Sequence, residues 1–152
     1  MSHPVWDELL GQPEAIEQLQ RAVADKPDSV HHAWLFTGPA GSGRSNLAKS
    51  FAAALECAED GCGQCQQCRL VHADAHPDVA MLVTDRVVIS IEEVRDLVSR
   101  SSMSTTIGEY RVVIIEDADR MTERTSNVLL KALEEPAEKV VWILCAPSVT
   151  DL

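Results

Sequence analysis

The stretch TGPAGSGRSNL, residues 37–47, sets the expectation for the fold. It matches the phosphate-binding pattern G-x-x-x-x-G-K-[ST], except that Arg44 stands where the pattern has lysine. Its glycines free the backbone to curl, so that N–H groups and the following helix N-terminus face an anion together. We therefore expect a nucleotide-binding loop made of Gly38, Pro39, Ala40, Gly41, Ser42, Gly43, Arg44 and Ser45.

The sequence around the loop has the strand–loop–helix context that this motif requires. HHAWLFTGP, residues 31–39, predicts a short buried strand that enters the loop. Residues 45–55 carry apolar side chains at helical spacing and predict the helix that follows it. Further upstream, GQPEAIEQLQRAVADKPD, residues 11–28, predicts a first helix with a proline near its start.

Strands and helices continue to alternate through the rest of the chain. The predicted strands are HPDVAMLV (76–83), RVVIIEDADRM (111–121) and KVVWILCAP (139–147). The predicted helices are ISIEEVRDLVSRSSM (89–103), which starts with a capping box of Ser90 and Glu93, and NVLLKALEEP (127–136). Because the strands are continuous apolar runs, we predict an α/β domain with a parallel sheet covered by helices on both faces.

The side chains around the loop bear on hydrolysis more than on binding. Ser45 offers a hydroxyl for Mg²⁺, and Arg44 keeps a positive charge but places it differently from lysine, because its guanidinium is larger and planar. After a hydrophobic run such as VVII, residues 112–115, active ATPases with this loop place an aspartate that helps to hold Mg²⁺ and then a glutamate that orients water. Here Glu116 precedes Asp117, so both carboxylates are displaced, and misplacement by ~1 Å can cost ~10²-fold in rate. We expect Ser45 and Glu116 as the possible Mg²⁺ ligands, no functional catalytic residue, and weak ATP or ADP binding.

Four of the five cysteines lie within twelve residues of one another: Cys57, Cys62, Cys65 and Cys68. Four thiolates at this density predict a closed tetrahedral Zn²⁺ site with a structural role, in an insert at about residues 57–72. His72 and His76 lie nearby as further nitrogen donors, whereas Cys145 falls in a strand pattern and is expected in the core.

Composition narrows the class of protein. The net charge of -11 and the pI of about 4.7 argue against a nucleic-acid-binding surface, which depends on lysine and arginine. No apolar run approaches the ~20 residues that a membrane span needs, and the start of the chain lacks the features of a secretory signal. We expect a cytoplasmic protein.

The motifs together resemble the bacterial clamp-loader family of DNA polymerase III. The resemblance is carried by GQPEAIEQL, HHAWLFTGPAGSGRSNLAKSFA, the cysteine insert behind the loop helix, IEEVRDLVSRSSM and RVVIIEDADRMTERTSNVLLKALEEPAEKVVWILCA. It spans nearly the whole chain and implies an AAA+ RecA-like nucleotide-binding domain over residues 1–152. It also implies lid and collar domains beyond residue 152, and an arginine-finger segment that the chain does not contain.

Within this family, the motor subunits resemble the chain but carry a G-K-[ST] loop and an Asp-Glu pair. Three departures here point to the stator kind of subunit: Arg44 in the loop, the order Glu116-Asp117, and Ala146-Pro147 where motors keep a polar sensor residue. The resemblance implies a hetero-oligomer with the clamp-loader subunits delta and tau/gamma. That assembly loads the sliding clamp onto primed DNA during replication, without a membrane partner.

Two other functions remain open at this stage. One is a competent clamp-loader ATPase of the tau/gamma kind, in which Arg44 and the exchanged acids still support turnover. The other is a zinc knuckle that binds nucleic acid directly, which predicts basic and aromatic residues around the cysteines. The segment CAEDGCGQCQQCRLVHADAHPD, residues 57–78, has one arginine, several acids and no aromatic residue, which makes this the weaker alternative.

Overall fold

A parallel β-sheet forms the centre of the domain. The computed structural model describes residues 4–7, 13–26, 28, 30–39, 43–84 and 86–148. The sheet has four strands: β1 (Ala33–Thr37), β2 (Val79–Leu82), β3 (Arg111–Ile115) and β4 (Val140–Ala146). Their order is β1-β4-β3-β2, and each neighbouring pair is parallel. The prediction of a parallel α/β sheet is confirmed.

Helices connect the strands, and their described bounds are α1 (Pro4–Asp7), α2 (Pro13–Ala24), α3 (Arg44–Glu56), α4 (Gln66–His72), α5 (Ile91–Ser101) and α6 (Glu123–Glu134). A short 3₁₀ turn, Ala118–Arg120, follows β3. The predicted capping box is present at the start of α5, where the Ser90 side chain accepts from the Glu93 N–H and Glu93 accepts from the Ser90 N–H.

Two hydrophobic cores cover the two faces of the sheet, which explains why β3 and β4 are apolar at consecutive positions. On one face, α2 and α3 bury side chains such as Leu19 and Phe51 against the sheet. On the other face, α5 and α6 pack around side chains such as Val94 and Trp142. Every residue of β3 from Val112 to Ile115 is fully buried. The two central strands are therefore fixed on both faces.

The prediction that β1 is buried is wrong. Only Phe36 of this strand is buried, and Leu35 is 38% exposed. The reason is strand order, because β1 pairs with β4 on one side and forms one edge of the described sheet. An apolar run predicts a strand, but it does not distinguish an edge strand from a central one.

Two other elements differ from the sequence-based prediction. The cysteine segment contains the short helix α4, for which no prediction was made from the sequence. The predicted helix at residues 127–136 begins earlier, at Glu123, because the Thr122 side chain accepts from the Thr125 N–H and caps the helix. Within the described residues, no helix is long and apolar enough to cross a membrane.

Parallel pairing brings the predicted site residues together at one edge of the sheet. The glycine-rich loop leaves the carboxyl end of β1, and the acidic pair leaves the carboxyl end of β3. Because β4 lies between these two strands, the loop and the acids face each other across the end of β4. Crevices at the carboxyl ends of the strands are where open α/β sheets bind ligands.

Candidate functional site

Arg44 is the most buried polar side chain of the predicted site, with 3% of its surface exposed. One guanidinium nitrogen donates to the Gly38 carbonyl at 2.5 Å, and the other donates to Asp117 Oδ1 at 2.6 Å. The side chain therefore spans the end of β4 and joins the β1 side of the site to the β3 side. A charge-assisted bond to a carboxylate is stronger than one between neutral groups, so this contact holds the guanidinium in place.

The two residues expected to bind Mg²⁺, Ser45 and Glu116, are also bonded to each other. The Ser45 hydroxyl, on the first turn of α3, donates a hydrogen bond to Glu116 Oε1. Both residues are half-buried, and they were expected to hold Mg²⁺ together. In this arrangement the hydroxyl and the carboxylate are partners of each other.

The structure describes three of the remaining residues of the predicted loop, Gly38, Pro39 and Gly43. Gly43 precedes α3 with a left-handed backbone (φ 94°), which favours glycine, and the Gly38 N–H donates to the Ala146 carbonyl at 3.1 Å. Pro39 is exposed. Ala40, Gly41 and Ser42 lie outside the described residues, so their predicted role in holding phosphate stays a prediction.

Cys145 lies beneath this site. Its side chain is fully buried at the end of β4, as the sequence predicted. Burial raises the pKa of its thiol to about 11, while Arg44 acts in the opposite direction and Glu116 and Asp117 add to the rise. Ala146 and Pro147 follow it and offer no polar side chain at the edge of the crevice.

The four clustered cysteines converge as the spacing predicted. One Sγ atom from each of Cys57, Cys62, Cys65 and Cys68 lies within 4.8 Å of all the others. The Sγ atoms of Cys57 and Cys65 are 3.7 Å apart, and all the cysteines are free thiols. Thiolates about 2.3 Å from a tetrahedral Zn²⁺ would be separated by roughly 3.8 Å, so the spacing suits this ion. Neither His72 nor His76 belongs to the group.

Backbone N–H groups donate hydrogen bonds to two of these sulfurs. Cys57 Sγ accepts from the N–H groups of Glu59 and Cys62, and Cys62 Sγ accepts from those of Gln64 and Cys65. Burial opposes ionisation of Cys57, but these N–H groups lower the pKa of its thiol to about 7.

The thiols of Cys65 and Cys68 are harder to ionise. Burial raises the pKa of Cys65, and burial together with the neighbouring Cys57 raises the pKa of Cys68. The donor set fits a cation that would hold four thiolates together, because a bound cation removes the repulsion between them. Such a metal would supply cross-linking of the chain rather than chemistry.

Local backbone geometry packs the cysteine segment against the rest of the domain. Cys57 follows the last residue of α3, and Cys65 caps the start of α4, where its side chain accepts from the Cys68 N–H. Gly61 has φ 108°, and a Cβ atom there would lie 2.5 Å from Val5 Cγ2 of α1. Glycine at this position lets the segment approach α1 closely.

A second buried group of titratable residues was missed by the sequence interpretation. Glu56, His76 and Asp78 have ligand atoms within 4.8 Å of one another, behind the cysteine segment. They come from the end of α3 and from the approach to β2, and no short motif links them. Glu56 accepts from the Tyr110 N–H at 2.8 Å, while its Oε2 has no hydrogen-bond partner within the described residues.

The hydrogen bonds of this group do not suit a metal ion. The Asp78 carboxylate accepts from three consecutive N–H groups, those of residues 106–108, and also contacts Arg111 at 3.4 Å. His76 Nδ1 accepts from the Asp78 N–H at 3.0 Å, so the neutral ring carries its proton on Nε2, which faces Gln67 Oε1. With Nε2 protonated and Asp78 saturated, the group instead anchors the segment that leads into β3.

Burial acts on the pKa values of all three side chains of this group. It raises the pKa of Glu56 to about 8, against the opposing N–H of Tyr110, and it lowers the pKa of His76. Burial also works against ionisation of Asp78, but the three N–H groups outweigh it and lower the pKa of that carboxyl. Near neutral pH, Glu56 and His76 are therefore uncharged and Asp78 is ionised.

The fold and the cysteine cluster define a parallel α/β domain with a candidate metal centre, and comparison with known proteins specifies its family. The family model described as DNA polymerase III, delta subunit, matches residues 11–152. The chain belongs to this family. The sequence-based resemblance to the clamp-loader subunits is thereby confirmed.

Individual relatives fall into two kinds of subunit. The chain is 40% identical to DNA polymerase III subunit delta' of Pseudomonas aeruginosa over 119 residues, which is 74% of this chain and 36% of the relative. It is 30% identical to the delta' subunit of Bacillus subtilis, covering 91% of this chain and 43% of the relative. It is 32% identical to the tau subunit of Bacillus subtilis, covering 91% of this chain and 25% of the relative. The chain thus spans less than half the length of these relatives.

A solved structure supports the fold. A gamma subunit-related protein of DNA polymerase III from Thermotoga maritima aligns with a TM-score of 0.63 at 22% identity, covering 91% of this chain and 41% of that protein. At this identity the similarity shows the shared fold alone.

Metal content tests the cysteine site. We expect purified chain to hold one Zn²⁺ and the Cys68→Ser variant to lose it, because the fourth ligand is then an alcohol instead of a thiolate. Cys145→Ser is the matched control, since Cys145 lies in β4 outside the cluster. Metal analysis of the folded proteins measures the ratio of zinc to protein. A folded wild-type chain without metal would contradict the site.

The pKa of Glu56 makes stability depend on pH. Because its folded pKa of about 8 exceeds the ordinary glutamate value of 4.5, the folded state holds a proton that the unfolded state releases between these values. Stability should therefore fall as pH rises through this window, by about 1.4 kcal/mol per pH unit for one proton.

Glu56→Gln should remove this contribution. The variant keeps an acceptor for the Tyr110 N–H but cannot ionise. The free energy of unfolding of the variant, relative to that of the wild type, should therefore increase from pH 5 to pH 8. Urea denaturation at several pH values measures the difference. A difference that does not change with pH would show that Glu56 titrates normally.

Proposed function

We propose that the chain is the nucleotide-binding-type domain of a clamp-loader subunit, of the delta' kind, that acts as a stator without hydrolysing ATP itself. In this proposal it assembles with the delta and tau/gamma subunits in the cytoplasm. The assembly opens the sliding clamp and places it on primed DNA, while the tau/gamma motors perform the hydrolysis. The family match and the similarity to delta' subunits support the assignment to this machinery.

One observation carries the assignment to a stator: the side chains that would act on ATP are bonded to one another. Arg44 is paired with Asp117, and Ser45 is paired with Glu116. For ATP and Mg²⁺ to bind as in a motor subunit, phosphate oxygens must displace Asp117 from Arg44, and Mg²⁺ must displace the hydroxyl from Glu116.

This displacement costs affinity. Separating a buried charge pair costs about 3–5 kcal/mol when the remaining charge is left unpaired. A phosphate would re-pair Arg44, and the side chain of Asp117 is 22% exposed, so solvent recovers part of that cost. The remainder still weakens nucleotide binding, since each 1.4 kcal/mol is about tenfold in affinity. We therefore expect weak binding of ATP or ADP.

The exchanged acids weaken hydrolysis further. Glu116 stands at the metal position with a longer side chain than aspartate, and Asp117 stands at the water-orienting position with a shorter one than glutamate. Asp117 also has a left-handed backbone (φ 56°) and is held by Arg44 and, at 3.9 Å, by Arg120. A carboxylate whose oxygens contact two arginines is not free to orient a water molecule.

A competent ATPase of the tau/gamma kind is the second candidate. The 32% identity to the Bacillus subtilis tau subunit favours it. It would require the two internal pairs to open when nucleotide arrives, with Arg44 moving from Asp117 to the phosphates. A direct nucleic-acid role for the cysteine segment ranks third, because Arg69 is its one basic residue and the segment contains several acids.

Asp117→Asn tests whether the internal ion pair restricts the site. Without the competing carboxylate, the buried guanidinium of Arg44 is free to bind phosphate, so affinity for a non-hydrolysable ATP analogue should rise by about tenfold or more. Titration calorimetry with and without Mg²⁺ measures the affinity.

Asp74→Asn is the matched control. It removes an ion pair to Lys49 on the same helix α3, 2.9 Å in length, and Asp74 likewise has a left-handed backbone. Its affinity should equal that of the wild type. Unchanged or weaker binding in a folded Asp117→Asn variant would contradict the proposal that the pair closes the site.

A further inference from the structure

The candidate metal centre is placed at an electrostatically unfavourable end of a helix. Cys57 directly follows α3, whose last turn directs carbonyl groups and the negative end of its dipole toward the cluster. Four thiolates around Zn²⁺ carry a formal charge of about −2. The α3 side of the site therefore combines two sources of negative potential, and a nearby cation would offset them.

Lys26 supplies that cation from a distant part of the sequence. Its ammonium group donates to the carbonyl oxygens of Ala54 at 3.0 Å, Leu55 at 3.4 Å and Cys57 at 2.9 Å. The residue comes just after α2, thirty-one positions before Cys57. Its side chain is only 15% exposed, so the contacts lie largely out of water.

Lys26 differs from Lys49, the lysine within α3, in the groups that its ammonium contacts. Its ammonium also contacts Asp60 at 3.3 Å, and that carboxylate is itself 33% exposed and offsets part of the charge. Lys49 pairs instead with Asp74 at 2.9 Å and donates to the His72 carbonyl at 3.4 Å. Among the described lysines, Lys26 is the one bonded to the backbone of a cysteine of the cluster.

We propose that Lys26 is a positioning residue for the metal centre. It closes the carbonyl end of α3, fixes the backbone that carries Cys57, and offsets the negative charge that the thiolates and the helix end share. This inference rests on the proposed zinc site. Partners outside the ligand set commonly change metal affinity by 10–100-fold when they are replaced.

Cobalt binding to the full chain tests the role, because thiolate-to-Co²⁺ absorption reports the four-sulfur site directly. Lys26→Gln keeps a hydrogen-bond donor and a similar length but removes the charge, and we expect its Co²⁺ affinity to fall by about tenfold or more. Lys26→Arg keeps the charge and should retain most of the affinity. Lys49→Gln is the matched control and should bind Co²⁺ as the wild type does.

A melting experiment separates this role from a purely structural one. We expect the rise in melting temperature on adding Zn²⁺ to be smaller for Lys26→Gln than for the wild type. Equal destabilisation of this variant with and without metal, or unchanged Co²⁺ affinity, would overturn the inference. If Lys26→Gln does not fold, a folded Lys26→Arg variant that has lost Co²⁺ affinity would overturn it too. A wild-type chain that binds neither Co²⁺ nor Zn²⁺ would instead refute the zinc site itself, and the inference with it.

Discussion

The ion pair between Arg44 and Asp117 fixes the orientation of the buried guanidinium at the carboxyl ends of the strands. It joins the first turn of α3 to the second of the two acidic residues that follow β3, across the end of β4. A lysine at the same position would present a compact charge along the loop, whereas the planar guanidinium matches a carboxylate. Arginine in place of the lysine of the motif therefore directs the charged group of the predicted loop toward the protein itself.

A second constraint is the need to fix the short cysteine segment that follows α3. Seven residues of α4 are too few to form a stable helix alone, so its ends depend on contacts with their surroundings. Lys26 holds the end of α3, and Gln67 of α4 bonds to both His76 and the Ile107 carbonyl. The contacts of Gln67 connect the cysteine segment with the segments that precede β2 and β3.

Much of this could be read from the sequence, since strands, helices and the cysteine cluster have local signals. The apolar start of residues 111–121 predicted a buried strand, and Val112 to Ile115 of β3 are indeed buried between the two helical layers. What failed depends on three-dimensional neighbours: the edge position of β1 follows from strand order, and the pairing of Arg44 with Asp117 joins residues 73 positions apart. The roles of Lys26 and Glu56 could not be predicted from a motif, because both side chains contact backbone groups that are distant in the sequence.

The most direct measurement is steady-state phosphate release by the purified chain with saturating ATP and Mg²⁺, compared with its Ser45→Ala variant. The account predicts the same background rate for both proteins, because the hydroxyl already serves Glu116 and the acids are exchanged. Robust turnover that requires Mg²⁺ and disappears in Ser45→Ala would contradict it, and would show that the internal pairs open to form a working ATPase.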